Sequence, residues 1–104
     1  MAIETKPFDV AEILNSEDRI AAYLEEAFES GDPRIIASAI GDVARSRNLS
    51  TIARNAGLTR ETIYQAFSPK GNPTLSTIPA VMKSLGFQLS VKPIGWPRAD
   101  WLAI

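Results

Sequence analysis

Apolar residues along this chain recur mostly three and four apart, and capping residues and glycines cut that pattern into five helical segments. Ser16 precedes Glu17 and Asp18, acids favoured in a first turn, and Ile20, Tyr23, Leu24, Ala27 and Phe28 then form one stripe that Gly31 ends. Asp32-Pro33 reads as a cap followed by proline at the first helical position. The second stripe is Ile36, Ala39, Ile40 and Val43, with Arg45 and Arg47 near its carbonyl end and Asn48 as its stop.

Two shorter segments follow. Ser50 is expected to cap one carrying Ile52, Ala53 and Ala56, closed by Gly57, and Thr59 to cap another carrying Ile63, Ala66 and Phe67. Ser68 to Pro73 (SPKGNP) is turn chemistry throughout. A fifth helix carries Ile78, Val81, Met82 and Leu85; with Ser76 as its cap, Pro79 falls in the first turn, where its missing N–H is harmless. Beyond Gly86 the period switches to two, with Phe87, Leu89 and Val91 alternating against Gln88, Ser90 and Lys92, which predicts a short strand over about 87–92. Such a strand needs a mate: a second copy, a partner protein or the N-terminal arm. The expected architecture is all-α, five helices with one short C-terminal β-strand. It divides into an arm (1–15), a helical domain (16–94) and a tail (95–104) whose Trp96 and Trp101 suit an interface.

Composition narrows the chemistry. The 104 residues fit one domain, and 45% hydrophobic with 22% charged is an ordinary globular balance. Cys and His are both absent from the sequence, which removes thiolate nucleophiles, disulfides, Cys- and His-ligated metals and the commonest general base. A non-enzymatic protein without cofactor or metal is expected. Glu25 and Glu29 stand one helical turn apart, but without partners they read better as a solvated face than as a catalytic pair. No apolar run approaches the roughly 20 residues that span a bilayer, and the first ten residues lack a signal-peptide pattern, so the expected location is cytoplasmic.

The net charge of −1 conceals a division. Residues 1–32 hold nine acidic and two basic residues, a balance of −7, whereas residues 33–104 hold nine basic and three acidic residues, a balance of +6. Asymmetry of this kind points to two different partners.

The window 49–68, LSTIARNAGLTRETIYQAFS, has the spacing of a helix-turn-helix: Ala53, Gly57 four residues on, Ile63 six further. Ala53 is small where a second helix crosses, Gly57 supplies the positive φ of a sharp turn, and Leu58 and Ile63 bury that turn. The second helix then presents Arg60, Glu61, Thr62, Tyr64 and Gln65 outward. Arg suits guanine, Gln adenine, Glu cytosine and Thr the thymine methyl.

This window resembles the lambda-repressor-like (Cro/C1-type, XRE) helix-turn-helix domain. From about Thr5 to about Pro93, the segments KPFD, DRIAAYLEEAFESGDP, IGDVARSRN and GLTRETIYQAFSPKGNPTLSTI more closely resemble addiction-module antidote proteins, the antitoxins of type II toxin–antitoxin operons. The resemblance implies a protein that represses its own operon by binding operator DNA and neutralises a RelE/ParE-like toxin by direct binding. It assigns base reading to Thr59, Arg60, Glu61, Thr62 and Gln65, and phosphate contact to Ser50, Thr51, Arg54, Tyr64 and Lys70. Toxins of this type are generally basic, so the acidic stretch from Asp9 to Asp32 is the expected docking face, with Glu25 and Glu29 on it and Phe8, Ile13 and Leu14 as apolar anchors. A homodimer is expected, because one recognition helix covers one half-site of a two-fold operator. The entry at Leu49-Ser50 is shorter than in most lambda-repressor-like domains, and the tail from Gly95 lies beyond the resemblance. A stand-alone phage-type repressor and a helical protein-interaction module are the competing readings.

Overall fold

The computed structural model describes residues 15–95. Among them the chain forms five α-helices: α1 (Glu17–Glu29), α2 (Pro33–Ser46), α3 (Leu49–Ala56), α4 (Arg60–Ala66) and α5 (Thr77–Ser84). Helix α2 lies at the centre, packed against α1, α3 and α4, while α3 also packs on α4 and α5. The apolar stripes read from the sequence converge there. Ile20, Ile40, Val43, Ile63, Phe67 and Val81 are the largest fully buried side chains, one or two from each of α1, α2 and α5 and from α4 with its exit. Burying each contributes on the order of 1.5–3 kcal/mol.

Most helix boundaries follow local chemistry. Ser16 accepts from the Arg19 amide and Asp32 from that of Arg34, with Pro33 opening α2. Two expected caps are corrected. Helix α2 ends at Ser46, and Asn48, expected to stop it, instead caps α3 by accepting from the Thr51 amide at 3.2 Å. Asn is as good a cap as Ser, and its use two residues earlier draws Leu49 and Ser50 into the first turn. At α5, Ser76 makes no side-chain cap; the Thr74 hydroxyl accepts from the Thr77 amide at 3.2 Å. Pro79 does fall in the first turn.

The expected strand over 87–92 is also corrected: no strand forms among the described residues. After α5, Gly86 turns at φ 93°, the Phe87 amide reaches back to the Met82 carbonyl at 2.9 Å, and the Gly86 amide bonds Lys83. Phe87 and Leu89 are half-buried against the core, so the alternation does set an inner face. A strand, however, is defined by its ladder, and no second extended segment lies alongside among the described residues. Val91 is 97% exposed, and Lys92 reaches Glu29 on α1 at 3.1 Å.

A hydrogen bond ties α2 to α1, and an ion pair within α2 braces its acceptor. Tyr23 on α1 donates to Asp42 Oδ2 at 2.7 Å, and Arg45 donates to Asp42 Oδ1 at 2.9 Å. Beside them, a β-carbon at Gly41 would stand 2.7 Å from the Phe67 carbonyl oxygen and 3.0 Å from both Phe67 Cβ and Arg45 Nη1. Only glycine lets α2 and the end of α4 approach this closely. Gly41→Ala should therefore destabilise the domain by about 1–3 kcal/mol in urea unfolding, the usual penalty for overpacking. Burial, together with the hydrogen bond to Asp42 and its charge, pushes the Tyr23 phenol from 10.0 up to about 12. Its contribution to stability is complete below the unfolded value and declines as pH rises towards the folded one. Stability should fall between those two pH values, and Tyr23→Phe should make that fall shallower while costing about 1.5 kcal/mol at neutral pH.

Candidate nucleic-acid interface

Helices α3 and α4 are joined by the tight turn that the sequence anticipated. Gly57 sits at φ 74°, the left-handed region that disfavours side chains, and the Leu58 amide bonds the Ala53 carbonyl at 2.8 Å. Ala53 is buried and Leu58 half-buried, so the turn is packed from inside. Ile63 and Phe67 anchor α4 in the core and turn its other face outward.

Thr59, Arg60, Glu61, Thr62 and Gln65 are all exposed. Thr59 caps the helix: its hydroxyl accepts from the Thr62 amide at 3.0 Å and lies 2.7 Å from the Thr62 hydroxyl. The structure thus gives Thr59 a framing role inside the group assigned to base reading. Among the described residues, the side chains of Arg60, Glu61 and Gln65 make no hydrogen bond or ion pair with the protein, which leaves their donors and acceptors available.

The residues assigned to phosphate contact are less uniform. Ser50, Arg54, Tyr64 and Lys70 are exposed, Tyr64 by 61%, whereas Thr51 is half-buried. Arg54 donates to the Thr51 hydroxyl at 3.3 Å, a long contact between neighbouring turns of α3. Lys70 is carried by a loop that folds back on α4. A β-carbon at Gly71 would collide with the carbonyls of Gln65 and Ala66, and the Gly71 amide closes the loop on the Ser68 carbonyl at 2.9 Å. Glycine at this point keeps Lys70 beside the end of α4.

The pattern that defines the family described as "Probable addiction module antidote protein" matches residues 4–93. This chain belongs to that family. An uncharacterised protein of Haemophilus influenzae is 49% identical over 92 residues, which cover 88% of this chain and 95% of the relative. No solved structure matches. The antidote-family match takes in the whole five-helix domain and stops short of the Trp-containing tail.

The residues that the resemblance assigned to toxin contact are divided. Glu25 and Glu29 are exposed on α1, opposite buried Ile20, Leu24 and Ala27, and Glu29 is engaged by Lys92. Phe8, Ile13 and Leu14 lie outside the described residues, as do Trp96 and Trp101. Among the described residues, no three acidic side chains gather where they could hold a metal ion, and no helix is long and apolar enough to cross a membrane.

Sequence reasoning missed two features. One is the Tyr23–Asp42–Arg45 cluster, whose signal was a hydroxyl placed within the apolar stripe of α1 and therefore in need of an acceptor. The other is an open cleft of about 710 Å³ between α1, α2 and Pro69, floored by Ala27 and Ala39. It joins residues far apart in sequence and had no local signal. The capping correction is directly testable. Asn48→Ala should cost about 1 kcal/mol of stability, whereas Ser50→Ala should leave the melting temperature nearly unchanged.

Proposed function

We propose that this protein is an antitoxin that represses its own operon through a lambda-repressor-like helix-turn-helix and neutralises a RelE/ParE-like toxin by direct binding. Membership of the antidote family supports the toxin partner. The observation that carries the DNA-binding half is the outer face of α4, where Arg60, Glu61 and Gln65 stand exposed and unpartnered within the described residues on a helix fixed by Gly57, Ile63 and Phe67. Such side chains match the donor and acceptor pattern of base edges in a major groove.

In this reading α4 enters the major groove and reads bases through Arg60, Glu61, Thr62 and Gln65, with Thr59 holding the frame. Ser50, Thr51, Arg54, Tyr64 and Lys70 flank it at the phosphate backbone, where Arg54 and Lys70 displace counterions. The protein acts as a homodimer on a two-fold operator in the cytoplasm. The acidic outer face of α1, with Glu25 and Glu29, steers and holds a basic toxin, with Phe8, Ile13 and Leu14 as its apolar anchors. Recognition of this kind requires no catalysis and no cofactor.

Replacing Arg60 and Gln65 with Ala should lower affinity for the DNA upstream of the gene by at least about tenfold, with the thermal transition unchanged. Lys70→Ala should weaken binding to all sequences alike and reduce the salt dependence by about one counterion. Operator titrations at two salt concentrations read both effects; unchanged affinity in the double variant would refute the base-reading assignment. Toxin contact requires charge reversal rather than truncation, since α1 supplies Ile20, Leu24 and Ala27 to the core. Glu25→Lys with Glu29→Lys should break co-purification with the product of the adjacent gene while operator binding persists. Intact co-purification would remove α1 from the toxin interface.

A further inference from the structure

Thr62 differs from its neighbours on α4 in what it has left to offer a ligand. Its hydroxyl lies 2.7 Å from that of Thr59, which also accepts the Thr62 amide at 3.0 Å, and either hydroxyl can act as the donor in the pair. The Thr62 side chain is nevertheless exposed. The pair takes up part of what the Thr62 hydroxyl can offer a ligand, and the other group that this exposed side chain carries is the γ-methyl. Arg60, Glu61 and Gln65 are exposed as well and end in charged or amide groups, so of these four Thr62 alone carries a methyl.

In the major groove the bases offer one apolar group, the C5-methyl of thymine. We infer that Thr62 is a specificity-determining residue that packs its γ-methyl against a thymine C5-methyl, and that its hydroxyl serves the fold rather than a base. A threonine whose hydroxyl is not committed elsewhere can hydrogen-bond any of several base edges and discriminates weakly. Here the Thr59 pair narrows that range by occupying one of the hydroxyl's hydrogen-bonding positions. The inference rests on the reading of α4 as the recognition helix.

The test uses duplexes that the full-length protein selects from a random-sequence pool, with each thymine replaced in turn by deoxyuridine. That change removes the C5-methyl alone. At one thymine per half-site, deoxyuridine should weaken wild-type binding about fourfold, the value of burying one methyl group. Thr62→Ser keeps the hydroxyl pair and loses the methyl in both half-sites of the dimer, so it should bind the parent duplex about sixteenfold more weakly and be indifferent to deoxyuridine at that position. Thr62→Val keeps the methyl and should retain the sensitivity, with melting curves confirming that both variants fold. Coupling between the protein change and the base change at a single position supports the inference. Equal deoxyuridine losses in wild type and Thr62→Ser at every thymine, or no loss at any, would overturn it while leaving DNA binding intact. Failure of the protein to select any duplex would overturn both the recognition-helix reading and this inference.

Discussion

The contact between Gly41 and Phe67 decides where everything else in the domain can stand. Helix α2 is the element that α1, α3 and α4 all pack against, and at Gly41 it touches the backbone and β-carbon of the residue that ends α4. A protein interior packs like a crystal, so a displacement at one such contact is transmitted rather than absorbed. With Phe67 seated on α2 and Ile63 buried one turn earlier, the rotation of α4 about its own axis is fixed. The polar residues at 60, 61, 62 and 65 must then face away from the core. What those residues recognise is a matter of their chemistry, but that they are presented together follows from packing.

Three glycines complete this placement in different ways. Gly57 is required by backbone conformation, since φ 74° disfavours any side chain and nothing crowds the space a β-carbon would fill. Gly41 and Gly71 are required by space, because neighbouring backbone occupies the place of a β-carbon. The sequence pattern distinguishes only the first kind. A glycine between two capped helices declares a turn, whereas a glycine within the apolar stripe of α2 shows nothing about what lies against it.

The same distinction explains which expectations held. Helix existence was legible because amphipathic period, caps and proline position are local and agree with one another in every segment. Helix ends were less legible: Asn48, Ser50, Thr74 and Ser76 are all competent caps, and the choice between adjacent candidates depends on how the tertiary contacts pull the chain. The alternation from Phe87 to Val91 correctly marked an inner face at Phe87 and Leu89, yet period two is necessary for a strand and not sufficient. Pairing needs a neighbouring backbone, which no local pattern can supply. For the candidate site, the cluster of exposed polar residues on α4 was readable from Gly57 and Ile63. The engagement of Thr59 with Thr62 was not, because it depends on side-chain rotamers at the cap.

The charge division acquires a structural meaning through α1. Its buried edge (Ile20, Leu24, Ala27) belongs to the same core that orients α4, while Glu25 and Glu29 point to solvent from the opposite edge. Folding and acidity are therefore carried by different faces of one helix. The acids can be altered without disturbing the core, and the core holds α1 whatever the acids bind. The tie between Glu29 and Lys92 does not change this, since an exposed pair contributes little to stability. Net charge, summed over the chain, averages across surfaces of opposite sign. Helix α1 carries the acidic face, while Arg54, Arg60 and Lys70 lie on and beside α4, and α2 packs against both helices.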